Sequence, residues 1–217
     1  MKLNKITTIL LSLLLVALVT VAATAAYLVD TDTNKNTFTV GNIDIVLNET
    51  DVDTDGVPVP GADRVDSNEY HLLPGKSYAK DPMVTLNPNS EECFVRVLVT
   101  FNCKAELDSA FGGSFAPEKL ISGWDANIWA LAGSKDNGDG TVTYEYRYRK
   151  TVSTMGATSA LSLEPVFTEI VVPGEISGEA LSKLGGFEIT VVANAIQAVG
   201  FNGDANAAWT AFEGISD

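Results

Sequence analysis

The chain has 217 residues, 28 acidic against 14 basic side chains and a formal charge of −14. Such a chain repels phosphate backbones and anionic lipid, so nucleic acid is excluded as a partner. Its length suits a single β-sandwich domain, and nothing in it demands a second.

Lys2 and Lys5 form a short positive stretch, residues 6–21 are almost wholly apolar, and Ala23 and Ala25 fit the small-x-small pattern of a signal peptidase site. A helical signal peptide is therefore expected over residues 1–25, cut after Ala25 so that Ala26 and Tyr27 begin the processed chain. No basic stop-transfer cluster follows it. The apolar run is also just long enough to span a bilayer, so an uncleaved anchor is the alternative, and the leader is the only membrane contact expected. Cleavage removes two lysines and no acid, which leaves the processed chain more acidic still.

Residues 26–37 are polar and rich in turn formers, which makes them an extended arm without a core of its own. From Phe38 the pattern alternates: Phe38 and Val40, then Ile43, Ile45 and Leu47, fall two apart on either side of Gly41-Asn42, the mark of a strand with a bulge or tight bend. The expected organisation is signal peptide 1–25, arm 26–37 and one β-sandwich domain over 38–217.

Residues 51–66 carry acids, Pro58, Pro60 and two glycines, all loop signals. Asp51, Asp53, Asp55 and Gly56 open like the first half of a calcium loop, but Ala62 stands where a bidentate Glu belongs. A solvated acidic loop is the reading, with weak calcium binding as its rival. Pro74-Gly75 has the chemistry of a type II turn. Residues 78–86 alternate weakly as strand around Pro82, as suits an edge or an entry.

The strongest strand runs from Cys93. Its odd positions, Cys93, Val95, Val97, Val99, Phe101 and Cys103, are apolar without a break, while Arg96, Thr100 and Asn102 interrupt the even face, which should be at least half wet. Ten residues of strand span about 33 Å and bridged Cα atoms lie within about 7 Å, so a 93–103 disulfide requires that strand to break and buried free thiols are expected.

Residues 116–120 suit a short helix opened by Pro117. Residues 124–131 and 141–150 flank the Asp139-Gly140 turn signal of a hairpin, with Val142, Tyr144, Tyr146 and Tyr148 on one face and Thr143, Glu145, Arg147 and Arg149 on the other. Residues 161–172 form another strand candidate, demoted to an edge or a bulge by Pro165. Residues 181–186 make a short helical turn or loop. Residues 187–199 read as a long strand apolar on both faces, which implies burial between layers. Asp204 caps a final helix that places Ala205, Ala208, Trp209 and Phe212 on one side and stops at Gly214. Seven to nine strands without a βαβ rhythm indicate an all-β fold, a two-sheet antiparallel sandwich with short helices.

Chemistry is sparse. His71 is the one histidine, and there is no HExxH, no GxSxG and no glycine-rich phosphate loop, so no catalytic residue, metal or cofactor is expected. Abundant carboxylates alone are no sign of glycosidase work.

Two stretches carry a resemblance. In residues 22–49 an alanine-rich site is followed by Tyr27, Asp30, Asp32, Asn36, Thr37, Phe38, Thr39, Gly41, Ile43, Ile45, Leu47 and Glu49; LLPGKSYAKDPMVTLNPNSEECFVRVLV follows. Together with the tyrosine hairpin and the ending ANAIQAVGF, these resemble the TasA and camelysin (CalY-like) family of secreted Gram-positive proteins with SipW-type signal peptides. The resemblance implies a jelly-roll-like sandwich, secretion to the extracellular matrix or cell surface, processing by a signal peptidase of SipW type, and head-to-tail polymerisation into biofilm fibres with anchor or accessory matrix proteins as further partners. It also implies that the processed N-terminal strand is donated to the next subunit, with Tyr27, Val29, Phe38 and Val40 as pocket fillers. Two alternatives stand beside it. One is a camelysin-like cell-surface metalloendopeptidase, although the chain departs from zinc-protease spacings; the other is a monomeric surface binding module whose arm pairs back on its own sheet.

Overall fold

The computed structural model describes residues 42–214. Ala23, Ala25 and Ala26 of the processing site and Tyr27, Val29, Phe38 and Val40 of the arm lie outside the described residues. Along the chain run β1 (Ile45–Asn48), β2 (Ser77–Ala79), β3 (Met83–Leu86), β4 (Cys93–Phe101), α1 (Lys104–Ala110), a 3-10 turn (Pro117–Lys119), β5 (Ile121–Ser122), β6 (Trp129–Asp136), β7 (Val142–Tyr148), β8 (Leu161–Ser162), β9 (Glu169–Val171), α2 (Gly178–Lys183), β10 (Ile189–Gln197) and α3 (Ala205–Glu213). The fold is all-β with few short helices. Its three antiparallel sheets have the strand orders β1-β3-β8, β10-β4-β7-β6 and β2-β9-β5.

The two three-stranded ladders run into one another. The N–H groups of Lys80, Val166 and Leu163 donate to the carbonyls of Thr168, Pro82 and Val84 at 3.1, 3.0 and 2.8 Å. Ala79 faces Glu169, whereas Thr85 faces Ser162, so the returning segment holds one residue more between these pairs. The extra residue falls beside Pro165, which has no N–H to give a ladder. The turn before β2 is the expected one: Gly75 has φ 74° and the Lys76 N–H donates to the Leu73 carbonyl at 3.3 Å.

Strand alternation sends every second side chain into one core. Cys93, Val95, Val97, Val99 and Phe101 of β4 meet Val142, Tyr144 and Tyr146 of β7, Tyr78 of β2, Val84 and Leu86 of β3, Ile170 of β9 and Trp129 of β6 in a single cluster. The tyrosine face of β7 is buried as its periodicity predicts. Asp204 caps α3 as expected, its Oδ1 accepting from the N–H groups of Asn206 and Ala207 at 2.9 and 3.1 Å.

Three expectations are corrected. The even face of β4 is dry at one end: Phe94 and Arg96 are only 7% and 5% exposed, because Trp209 and Phe212 of α3 lie over them with the Arg96 guanidinium 4.6 and 4.9 Å from their ring centres. Residues 187–199 do not form a strand between layers. Among the described residues β10 ends its sheet order with β4 as its neighbour, and Val192 and Val199 are 45% and 67% exposed. The β4 strand also stops at Phe101; Cys103 sits at φ 55° and leads into α1, an element the sequence reading omits.

Both cysteines are free. Cys93 is buried, its Sγ donating to the Val152 carbonyl at 3.6 Å, and burial, with the Glu92 charge adding, pushes its thiol up to about 11. A soluble maleimide at neutral pH is expected to label half-buried Cys103 in the native protein and to spare Cys93 until denaturant is added; equal native labelling would contradict this packing. Gly56 supports the same core from outside, at φ 74° with an added Cβ meeting the Tyr78 Cβ at 2.6 Å. Gly56→Ala is therefore expected to cost about 3 kcal/mol through backbone strain and overpacking, read as a lowered Tm; an unchanged Tm would refute it.

Candidate functional site

β1 ends one sheet and β10 ends another, and residues of both line a cavity of about 770 Å³. Its apolar walls are Leu47 of β1, Leu72, Ile170 of β9, Leu181 of α2 with Leu184 and Phe187 beyond it, and Ile189 and Val191 of β10. Asp66, Glu69 and Glu188 also line it. Among the described residues each of these terminal strands has a sheet neighbour on one side, and the walls offer apolar surface.

The polar part of the cavity follows from strand parity. Lys80 lies two residues beyond Tyr78 and Glu49 two beyond Leu47, so each extends the inward face of its strand and arrives where water is scarce. A charge so placed must be paired. Lys80 Nζ donates to Glu49 Oε2 at 2.5 Å, with the two residues only 7% and 3% exposed. Asn68 completes the carboxylate: its Nδ2 donates to Glu49 Oε1 at 2.9 Å and to the Thr50 carbonyl at 2.8 Å, while its Oδ1 accepts from the Val52 N–H at 3.0 Å. The Tyr70 ring lies 5.6 Å from the Lys80 amine, and its hydroxyl donates to the Ala79 carbonyl at 3.2 Å. Burial, aided by the Glu49 charge, raises the Tyr70 hydroxyl well above the ordinary phenol range, so it stays a neutral donor.

The segment that carries Asn68 is tied to β1 from the other side. Glu49 and Val65 exchange N–H to carbonyl bonds of 2.8 Å in both directions. The Arg64 guanidinium donates to Asn48 Oδ1 at 2.7 Å, to the Asp81 carbonyl at 2.7 Å and to Asp81 Oδ2 at 2.9 Å. Asp81 in turn accepts from the Thr50 N–H at 2.7 Å and the Thr50 hydroxyl at 2.9 Å. Burial opposes ionisation of Asp81, but the Arg64 and Thr50 donors outweigh it and hold the carboxyl below the usual carboxylate range.

The acidic loop does other work. Asp53 Oδ1 accepts from the N–H groups of Asp55 and Val57, each at 2.9 Å, and Asp55 pairs with Lys76 at 2.6 Å. These two carboxylates are thus occupied by the turn itself. His71 is exposed; its N–H donates to the Thr54 carbonyl and its own carbonyl accepts from the Tyr78 hydroxyl. Among the described residues no three of His, Cys, Asp and Glu converge to hold a metal ion. A second depression, of about 520 Å³, lies on the outer face of β7 and β4 beside α3, lined by Arg96, Lys135, Glu145, Arg147, Trp209 and Glu213 among others.

None of Glu49, Asn68 and Lys80 was singled out from the sequence as a site residue. The available signal was parity: a charge continuing the buried face of a strand.

Because the folded Asp81 pKa is depressed, its stabilising contribution is complete above the ordinary Asp range of about 4 and is lost as pH falls through the folded value. Asp81→Asn is expected to destabilise the protein at neutral pH and to lose part of the acid dependence of denaturant unfolding seen in the wild type; superimposable pH profiles would rule the linkage out.

No protein-family model matches the chain, and neither does any curated protein or any solved structure.

Proposed function

We propose that this protein is a secreted structural subunit of the cell surface or biofilm matrix that forms fibres by donating its processed N-terminal segment to the next copy. The observation that carries the reading is the apolar-walled groove between the terminal strands β1 and β10. An added strand gains main-chain hydrogen bonds from a sheet edge and specificity from pockets for alternate side chains. The arm over residues 26–37 and the strand start after it supply the pairs Tyr27 with Val29 and Phe38 with Val40, each two residues apart, without proline. Once cut after Ala25 by a signal peptidase of SipW type, the arm carries Asp30 and Asp32 against Lys35 and the new α-amino group, so it is close to neutral. That suits a groove lined by Asp66, Glu69 and Glu188 better than the acidic remainder of the chain does.

A contact that passes the arm of one copy to the groove of the next does not close on itself and yields filaments. The resemblance to the TasA and camelysin family supports the same reading, with anchor or accessory matrix proteins as further partners. The finer fold reading, a two-sheet jelly-roll-like sandwich, rests on the bonds that join the two three-stranded ladders and on the single core gathered between them and the four-stranded sheet.

Electron microscopy of the processed protein is expected to reveal fibres, and a variant lacking residues 26–37 is expected to remain monomeric; equal fibre formation by both would refute strand donation. Because all copies are acidic, added salt is expected to speed assembly by screening their repulsion. A processed protein that stays monomeric by light scattering at every concentration and salt level would instead identify a binding module whose arm fills its own groove.

A further inference from the structure

The Glu49 carboxylate is held between an amine and an amide. Oε2 accepts from Lys80 Nζ at 2.5 Å and Oε1 accepts from Asn68 Nδ2 at 2.9 Å. The amide is fixed at both ends, with the Val52 N–H on its Oδ1 at 3.0 Å and the Thr50 carbonyl on its Nδ2 at 2.8 Å. Lys80 and Glu49 are almost fully shielded from solvent, and the Tyr70 ring lies against the amine. A surface lysine amine is strongly hydrated and protonated, and it attacks nothing. An enclosed amine and a polarised carboxamide that bond to the two oxygens of one carboxyl group place a nucleophile, an electrophile and a proton carrier in one hydrogen-bonded group.

We propose that Lys80 and Asn68 are joined by an isopeptide bond that the chain forms on itself, with Glu49 as the proton carrier. One proton passes from Lys80 Nζ to Glu49 along their hydrogen bond and leaves a neutral amine beside a carboxylic acid. The amine lone pair attacks Asn68 Cγ, and the carbonyl electrons move onto Oδ1, where the Val52 N–H meets the developing charge. Glu49 hands its proton to Nδ2 and takes one from the attacking nitrogen. The carbonyl re-forms, the Cγ–Nδ2 bond breaks and ammonia leaves. One Nζ–Cγ bond replaces one Cγ–Nδ2 bond, nothing is oxidised or reduced, and no co-reactant is needed. The proton that Lys80 brought ends on Glu49, so no unpaired charge is left buried.

The bond would clamp the segment beside β1 to the residue that follows β2, closing the polar end of the groove with a covalent tie. It involves residues of one chain only, so it stands or falls separately from strand docking. Intact-mass and peptide-map spectrometry of the purified full chain tests it. The wild type is expected to weigh one ammonia less than its sequence dictates, and the peptides holding Asn68 and Lys80 are expected as a single branched species. Lys80→Arg, which keeps the charge, and Glu49→Gln are each expected to restore the full mass and two linear peptides. Asn68→Asp, which keeps the carbonyl, is expected to give the same branch with loss of water. Linear Asn68 and Lys80 peptides in the wild type would overturn the proposal whatever the variants do. So would an ammonia loss that persists in Lys80→Arg, since that marks a succinimide at Asn68.

Discussion

The constraint on which the structure depends is the double enclosure of β4. Its nine residues are hydrogen-bonded on both edges, to β10 over its whole length and to β7 over Arg96–Phe101. Its odd side chains fill the main core, and its even side chains Phe94 and Arg96 lie beneath α3. A cation on that second face survives burial because aromatic rings, an amide oxygen and a carboxylate meet it. The guanidinium lies against the adjacent rings of Trp209 and Phe212, Nε donates to Asn194 Oδ1 at 3.1 Å, and Nη1 pairs with Glu213 at 2.6 Å. Arg96 thereby fixes the docking of the C-terminal helix, and the helix covers the strand that organises the four-stranded sheet.

With the centre closed in this way, openness is left to the margins. Among the described residues β1 and β10 each have a sheet neighbour on one side, and the cavity between them combines an apolar wall with a polar end made by Glu49, Asn68, Tyr70 and Lys80. An exposed sheet edge is a hazard unless it is blunted or used. Part of the β1 edge is blunted, since Val65 bridges Glu49 and Arg64 grips Asn48. The remaining apolar walls are what strand donation calls for. The Glu49 carboxylate, bonded to Lys80 on one oxygen and to Asn68 on the other, ties β1 to the two segments that form this end of the groove.

Much of this was legible in the residues because it depends on short-range rules. The alternation of Val95, Val97, Val99 and Phe101 fixes which face of β4 is core, and Val142, Tyr144 and Tyr146 do the same for β7. Asp139-Gly140 places the hairpin turn, Pro74-Gly75 the turn before β2, and Asp204 the start of α3. Pro82 and Pro165 mark where the ladder between residues 77–86 and 161–171 is interrupted. In each case the information sits within a few residues and concerns a donor that is missing, a dihedral that is restricted or a two-residue period.

What the sequence could not express is which surfaces meet. Arg96 reads as a wet interruption of an apolar strand until a helix more than a hundred residues later covers it, and residues 187–199 read as buried until the strand order leaves β10 at the edge. Asn68 and Lys80 stand 19 and 31 residues beyond Glu49, and the three carry no shared motif. The sequence by itself determined an all-β chain, its turns, its core faces and an acidic surface, because backbone sterics and side-chain period are local properties. Only the tertiary structure decided the groove, its polar end and the covered cation, because burial and charge pairing are set by long-range contacts that no local pattern encodes.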